Sequence, residues 1–253
     1  MTSTKPTHLV LFDIDGTLLS PKKEAWQLAA EESVEKCWLG EVEMMRDIIH
    51  DVTGIRVDPY RYLPSGKTDA QVVFELFEGI CVSDEEIYDW LPKLYDEYLK
   101  RLGRVLNGPQ TVDLMPGARE ILEELSNRKD VVLSLLTGNC QGAARLKLST
   151  HSLEKYFVFE AGAFGDKAKH RDELPAEAVR AAQKHKGQSF SGGQVVLVGD
   201  TPTDVRCVKS IQARVVAVAT GSFSMDQLKA EEPDHLFGNM SDTSKVISAI
   251  FNS

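Results

Sequence analysis

The sequence lacks the features that mark several large classes of protein. Its four cysteines are widely spaced and form no CxxC pair, so a reduced intracellular setting is the simplest interpretation. The 29 Lys and Arg residues are outnumbered by 38 Asp and Glu residues, for a net charge of −9, whereas a nucleic-acid-binding protein usually carries a clustered basic face. No run of about 18 apolar residues is present, and the opening MTSTKPTH contains no apolar signal region. We therefore expect a cytoplasmic protein with neither a nucleic-acid nor a membrane partner.

The composition favours a large buried core. Apolar residues make up 42% of the 253 positions, which argues against general disorder. From the second apolar run onward, strand-like runs alternate with helical patterns, and continuous apolar runs suit a parallel sheet covered on both faces. We predict a doubly wound, Rossmann-like α/β fold. The expected strands are Leu9–Phe12, Val131–Leu136, Phe157–Ala161, Val195–Val198 and Val215–Val218, and the expected helices are Ala118–Ser126, Gly142–Ser149, Glu173–Lys184, Asp204–Ile211 and Met225–Glu231.

A helical segment interrupts this alternation over residues 20–109. It contains no convincing strand, and its patterns predict the helices Lys23–Trp38, Val42–Val52, Asp69–Glu78 and Ser83–Leu106. The sequence Asn107-Gly108-Pro109 is typical of a hinge. We therefore predict a catalytic core of residues 1–19 and 110–253 and an inserted helical cap domain of residues 20–109.

Polar residues collect where the predicted strands end. The first strand runs into Asp13-Ile14-Asp15-Gly16-Thr17, the second into Thr137-Gly138-Asn139, and the fourth into Gly199-Asp200-Thr201, with Asp204 four residues after Asp200. Open α/β sheets bind ligands at the carboxyl ends of their strands, where the strand order reverses. The sequence therefore places a binding site at this edge.

These residue types suit phosphoryl chemistry. Asp13, Asp15 and Asp200 supply hard oxygen ligands of the kind that Mg²⁺ accepts, and the cation would relieve repulsion between the neighbouring carboxylates. Thr137 and the backbone N–H of Gly138 suit an anion at a helix N-terminus. Asp13 can attack phosphorus as a nucleophile, and Asp15, two residues on, can act as general acid and then base.

The motifs DIDGTL, LTGN and VGDTPTD, in this order and with a helical insert after the first, resemble those of the haloacid dehalogenase superfamily of hydrolases. The likeness covers nearly the whole chain and is nearest to the phosphoglycolate phosphatase-like branch. It implies Mg²⁺-dependent phosphoryl transfer through an aspartyl-phosphate, with Asp13 as nucleophile, Asp15 as acid and base, Thr137 as phosphate ligand, Asp200 as metal ligand and Asp204 in support of the metal. Because the superfamily's dehalogenases and phosphonatases lack an aspartate at the position of Asp15, its presence favours phosphate esters.

The same resemblance implies a lysine or arginine after the third strand to hold the phosphoryl oxygens. Three residues of GDKAKHRDELP are candidates: Lys167, Lys169 and Arg171. We select Arg171, since Asp172 can cap the next helix and Pro175 suits its first turn, which places Arg171 at the end of the loop. Its guanidinium can hold a phosphate bidentately, whereas a lysine acts as a point charge.

The stretch PSGKTD, residues 64–69, is similar to a phosphate-binding P-loop but does not satisfy that motif. Arg61 stands where the motif requires glycine, and no strand precedes the stretch. We interpret it as a loop that begins a helix of the insert and directs Lys67 and Thr68 at the substrate, as cap loops often do in the superfamily. The alternative is an exposed lysine at a helix start.

The sequence thus predicts a Mg²⁺-dependent phosphatase for a small phosphorylated metabolite, acting as a monomer or homodimer. A sugar phosphomutase would use the same aspartyl-phosphate and return the phosphoryl group to the sugar. A catalytically silent binding module on the same fold is the third possibility, although the presence of all four residues Asp13, Asp15, Thr137 and Asp200 weighs against it.

Overall fold

The protein is built around a parallel sheet, which a computed structural model describes together with its helices for residues 7–21, 39–61, 64–107 and 111–252. The strands are β1 (His8–Phe12), β2 (Leu19–Pro21), β3 (Val112–Leu114), β4 (Val131–Thr137), β5 (Ala163–Phe164), β6 (Val195–Gly199), β7 (Arg214–Val218) and β8 (His235–Phe237). Six of these form the main sheet in the order β5-β4-β1-β6-β7-β8, and all of the pairings are parallel.

Helices cover both faces of this sheet or lie in the insert. They are α1 (Leu39–Thr53), α2 (Asp69–Leu76), α3 (Asp84–Leu106), α4 (Ala118–Ser126), α5 (Gln141–Ser149), α6 (Leu174–Lys186), α7 (Pro202–Cys207), α8 (Met225–Lys229) and α9 (Thr243–Phe251). Within the described ranges, no helix is both long enough and apolar enough to cross a membrane.

Strand β1 lies at the centre of the fold. Its side chains alternate between two apolar clusters: Val10 and Phe12 pack on the side of α4 and α9, and Leu9 and Leu11 pack on the side of α6 and α7. Because both faces are buried, the strand is apolar from Leu9 to Phe12. Strands β4 and β6 flank it, so chain segments that are distant in the sequence meet at its carboxyl end.

The insert has an apolar cluster of its own. Buried residues of α1, α2 and α3 form it together with Cys140 and Ala143 at the start of α5, so the insert packs against the core at that helix. The chain enters and leaves the insert through the antiparallel pair β2–β3, in which Leu19 pairs with Leu114. The predicted helix Lys23–Trp38 and most of the predicted hinge, Gly108-Pro109, lie outside the described residues.

The predicted doubly wound α/β fold is confirmed, but the predicted third strand, Phe157–Ala161, is wrong. Two short 3₁₀ helices, Glu154–Tyr156 and Phe159–Ala161, occupy this region, and the strand follows at Ala163–Phe164. The apolar side chains of Phe157 and Phe159 are buried in the core cluster without sheet pairing. Burial alone therefore accounts for the apolar run.

Candidate active site

The predicted site residues after β1, β4 and β6 meet at the carboxyl edge of the sheet. The Asp13 backbone N–H donates to Val198 O at 3.0 Å, which extends the ladder by one step and fixes where the Asp13 side chain emerges. A single pocket is lined by Asp13, Asp15, Thr137, Gly138, Arg171 and Asp200 from the core and by Glu41, Val42, Met45, Lys67, Asp69 and Tyr98 from the insert. The site is therefore enclosed by both parts of the chain.

Gly16 permits the turn that follows the two aspartates. Its φ is +87°, a conformation that favours glycine, and a Cβ atom at this position would lie 2.3 Å from Asp200 Oδ2. In the next position, the Thr17 hydroxyl donates to Asp200 Oδ1 at 2.8 Å. The turn therefore brings the β1 and β6 loops into direct contact.

Three carboxylates form a buried acidic cluster at this edge. One oxygen from each of Asp13, Asp200 and Asp204 lies within 4.8 Å of the other two. Burial raises the pKa of Asp13 to about 6, although Arg171 acts in the opposite direction. Burial, together with the charges of Asp204 and Asp13, raises the pKa of Asp200 well above its ordinary value. Hard oxygen donors that repel one another in a buried site fit Mg²⁺, which would neutralise them.

Asp15 is not among these three, although we predicted it to be a metal ligand. Its Oδ2 accepts a hydrogen bond from Asn139 Nδ2 at 2.7 Å and one from Lys147 Nζ at 2.8 Å. Its carboxylate is therefore held by the loop and helix that follow β4.

Asp204 contacts both the first turn of α7 and Arg171. Its Oδ2 accepts from the Thr201 backbone N–H at 3.0 Å and from the Thr201 hydroxyl at 2.8 Å, and Thr201 Oγ1 in turn accepts from the Asp204 N–H, which completes the capping box of α7. Its Oδ1 accepts from Arg171 Nη2. The side chain thus caps the helix and holds the arginine beside the carboxylate cluster.

Of the three cationic candidates after the third strand, the structure brings Arg171 into the pocket. It is buried, and its Nη2 lies 3.1 Å from Asp13 Oδ2. Among the described residues, its buried Nε has no hydrogen-bond partner. Lys169 instead bonds to Asp84 of α3 at 2.6 Å, and Lys167 is exposed.

The loop after β4 provides hydroxyl and amide groups at the beginning of α5. The Thr137 hydroxyl is fully buried, accepts from Asn139 Nδ2 at 3.0 Å and forms a hydrogen bond with Asp13 that lowers the pKa of that carboxyl against the larger effect of burial. Gly138 lies directly against the insert, since a Cβ atom there would come within 1.9 Å of Lys67 O. Its own carbonyl accepts from the Asp69 N–H at 2.7 Å.

The PSGKTD loop, which precedes α2, lines the pocket. Its Thr68, which we expected to be directed at the substrate, is instead buried and caps that helix by accepting from the Gln71 N–H at 3.0 Å. Lys67 lines the pocket, and its ammonium forms an ion pair with Glu75 Oε2 at 2.5 Å. Any contact of the Lys67 ammonium with a substrate would therefore also involve Glu75.

Sequence reasoning missed Lys147, Glu41 and Tyr98. Lys147 is buried on α5 and lies 2.9 Å from Glu41 Oε1 of α1, while the Tyr98 hydroxyl of α3 donates to Glu41 Oε2 at 2.6 Å. Burial opposes the charge on Lys147, but the Asp15 and Glu41 carboxylates outweigh it and raise its pKa. A charged lysine that is fully buried is rare, yet no local sequence pattern distinguishes it from a solvated one.

Comparison with known proteins gives a consistent family assignment. Residues 7–212 match the family described as hydrolase, haloacid dehalogenase-like hydrolase. A Caldanaerobacter subterraneus protein named "Putative pyrophosphatase PpaX" is 24% identical over 238 residues, which covers 94% of this chain and 93% of that protein.

Solved structures share the fold at low sequence identity. The crystal structure of a predicted phosphoglycolate phosphatase from Haemophilus somnus superposes with a TM-score of 0.58 and 18% identity, covering 96% of this chain and 99% of the other. A structure titled "Putative beta-phosphoglucomutase from Bacteroides vulgatus" superposes with a TM-score of 0.61 and 20% identity, covering 98% of this chain and 90% of the other.

Proposed function

Because the chain belongs to the haloacid dehalogenase-like hydrolases, we propose that it is a Mg²⁺-dependent phosphatase, similar to phosphoglycolate phosphatases, that hydrolyses a small phosphorylated metabolite. The observation that carries this proposal is the convergence at one strand edge of a buried Asp13, the Arg171 guanidinium 3.1 Å away and the carboxylates of Asp200 and Asp204. A nucleophile, a cation for the phosphoryl oxygens and a set of metal ligands are the groups that phosphoryl transfer requires.

In the first step, Asp13 attacks phosphorus and the ester P–O bond breaks. The leaving-group oxygen takes a proton from Asp15, and Asp13 now carries the phosphoryl group. In the second step, the Asp15 carboxylate accepts a proton from water, the water oxygen bonds to phosphorus, and cleavage of the acyl-phosphate P–O bond restores Asp13. Two carboxylates in different surroundings thus serve as nucleophile and as acid and base.

The remaining residues of the edge hold the phosphoryl group. Arg171 offers its guanidinium donors to the equatorial oxygens, and Thr137 and the Gly138 N–H provide the anion-binding groups before α5. Asp13, Asp200 and the supporting Asp204 would hold Mg²⁺, whereas Asp15, which we also expected to be a ligand, is not part of this cluster. When bound, the cation supplies positive charge that offsets the negative charge of the phosphoryl oxygens.

We further propose that residues 20–109 form a cap that covers the pocket and limits access of water. The lining from α1, α3 and the PSGKTD loop supports this. In this division, residues at the strand edge bind the phosphoryl group that all substrates share, and residues of the cap, Lys67 among them, bind the part that differs.

Phosphate release from p-nitrophenyl phosphate, measured with Mg²⁺ and with a chelator, tests the proposal. We expect turnover with Mg²⁺ and its loss on chelation. Equal rates in both conditions would contradict the metal requirement, and no release from this ester or from a panel of phosphorylated metabolites that includes phosphoglycolate and pyrophosphate would favour the silent binding module. Isomerisation of glucose phosphates without phosphate release would identify a phosphomutase.

A further inference from the structure

A buried ion network connects Asp15 to the insert. Lys147 has only 3% of its side chain exposed, and its ammonium lies 2.8 Å from Asp15 Oδ2 and 2.9 Å from Glu41 Oε1. Glu41 belongs to α1 and also accepts the Tyr98 hydroxyl of α3 at 2.6 Å. The network therefore runs from the end of β1, through α5 of the core, to two helices of the insert.

The contacts to Asp15 are asymmetric. The hydrogen bonds from Asn139 and from Lys147 both fall on Oδ2, and none of the hydrogen bonds found in the described part of the chain falls on Oδ1. A carboxylate fixed through one oxygen by two donors loses its freedom to rotate, while the second oxygen remains available for proton transfer. A general acid requires this arrangement, because its oxygen must first lie within reach of the atom that it protonates, and only then does its acid strength matter.

The charges of the network explain why Glu41 is part of it. A lysine this deeply buried needs partners for its charge, and Asp15 must exchange a proton during turnover if it acts as acid and base. Glu41 provides Lys147 with a second carboxylate that does not take part in the reaction.

We propose that Lys147 is a positioning residue for Asp15, and that Glu41 of the insert holds Lys147 in place, so that the acid of the reaction is correctly oriented only when α1 lies against the core. This inference rests on the proposed phosphatase function and on the part assigned to Asp15. It predicts that disturbing Glu41, which lies on the far side of Lys147, affects the same chemical step as disturbing Lys147.

The dependence of the rate on the leaving group separates positioning of an acid from general structural support. p-Nitrophenyl phosphate and phenyl phosphate are similar in shape, but phenolate is much more basic than p-nitrophenolate and needs protonation as it departs. We expect Lys147→Met to lower kcat/KM for phenyl phosphate by roughly 100-fold, the lower range for a general acid, and to lower it less than about 10-fold for p-nitrophenyl phosphate. Glu41→Gln should show the same preference with smaller losses.

A double variant tests the direction of the coupling. If Glu41 acts through Lys147, Lys147→Met combined with Glu41→Gln should lose no more activity on phenyl phosphate than Lys147→Met alone. The double variant also removes the Glu41 carboxylate that Lys147→Met would leave buried without its cation, so it keeps the test open if Lys147→Met does not fold. Lys245→Met, which removes an exposed ion pair with Asp242, is the control and should match the wild type on both esters.

Equal losses on both esters in Lys147→Met or in the double variant, with a folded protein by circular dichroism, would overturn the inference and leave Lys147 a structural role. Wild-type rates on both esters would also overturn it. These outcomes differ from failure of the proposed function, in which the wild-type protein itself releases phosphate from neither ester.

Discussion

Asp13 and Asp15 are two residues apart and have different surroundings. Asp13 is buried against Arg171 and the carboxylates of Asp200 and Asp204. Asp15 is less buried and is bound by Asn139 and Lys147. Differences of this kind allow two identical side chains to serve as nucleophile and as acid.

Replacement of Asp200 tests its predicted binding of Mg²⁺. Asp200→Asn should raise the Mg²⁺ concentration for half-maximal activity by roughly 10- to 100-fold, because an amide oxygen carries no charge to attract the cation. The measurement is a Mg²⁺ titration of p-nitrophenyl phosphate turnover. Lys245→Met serves as control, and a titration curve for Asp200→Asn that superposes on the wild type would remove Asp200 from the metal site.

Replacement of Lys67 tests whether the cap recognises the part of the substrate that varies. Lys67→Ala should lower kcat/KM for the best metabolite found in a screen by roughly 10- to 100-fold, mainly through KM, as expected for a charge-assisted contact of about 1.5–3 kcal/mol. Hydrolysis of p-nitrophenyl phosphate should change much less, since its leaving group offers no polar contact to the cap.

The ion pair of Lys67 with Glu75 supplies the companion variant. Glu75→Gln leaves the lysine charge in place and should retain more activity on the metabolite than Lys67→Ala. Equal losses of Lys67→Ala on both substrates would place Lys67 in the core chemistry or in folding. No loss on either would make it an ordinary surface lysine.

At the scale of helices and strands, the sequence predicted those elements whose patterns reflect burial and periodicity. The run Leu9–Phe12 is apolar because both faces of β1 are covered, and α4 spans Ala118–Ser126 as predicted. The three-residue strands β2, β3 and β8 escaped prediction because three residues carry no detectable period. Helix α9 was also missed, although its apolar residues have helical spacing.

The candidate site was predictable in part for a related reason. Residues that directly follow strands, such as Asp13, Thr137 and Asp200, share an edge as soon as the sheet is parallel. Lys147 was not predictable, because it lies within α5 and does not directly follow a strand. It is also 132 positions away from Asp15 in the sequence. Only the packing of α5 brings the two together.

The contact between the insert loop and the β4 loop makes an element-scale prediction. Gly138→Ala places a Cβ within 1.9 Å of Lys67 O, which is backbone and cannot move without shifting the PSGKTD loop. We expect a loss of about 1–3 kcal/mol of unfolding free energy and a loss of activity, measured by urea unfolding and by turnover of p-nitrophenyl phosphate.

Gly103→Ala is the matched control. Gly103 lies inside α3, and a Cβ atom there meets no atom within 4 Å. The substitution should therefore stabilise the protein by roughly 0.5–1 kcal/mol, because alanine favours a helix more than glycine does. If Gly138→Ala were as stable as the wild type or more stable, as expected for Gly103→Ala, the close approach of the two loops would be contradicted.

For the whole molecule, the buried carboxylates predict how stability without metal depends on pH. The pKa of Asp13 is raised by burial to about 6, whereas an unfolded aspartate titrates near 3.9. Between about pH 4 and pH 6 the folded state therefore binds more protons, so stability falls as pH rises through this window. In chelator, Asp13→Asn should reduce this fall, by on the order of 5 °C in Tm across the window.

Mg²⁺ should weaken this dependence of stability on pH in the wild type, since it binds the ionised carboxylates and stabilises the folded state. Thermal unfolding at several pH values, with and without Mg²⁺, provides the measurement. A slope in the metal-free wild type that Asp13→Asn leaves unchanged would show that Asp13 is not a source of the pH dependence.

The proposed function depends above all on transfer of a phosphoryl group to Asp13. Rapid acid quench of the enzyme during turnover of p-nitrophenyl phosphate with Mg²⁺, followed by peptide mass spectrometry, tests it directly. We expect the peptide containing Asp13 to gain the mass of one phosphoryl group, and we expect Asp13→Asn to show neither this peptide nor turnover while remaining folded by circular dichroism. A phosphoryl group on a different residue, or turnover in Asp13→Asn near the wild-type rate, would contradict it.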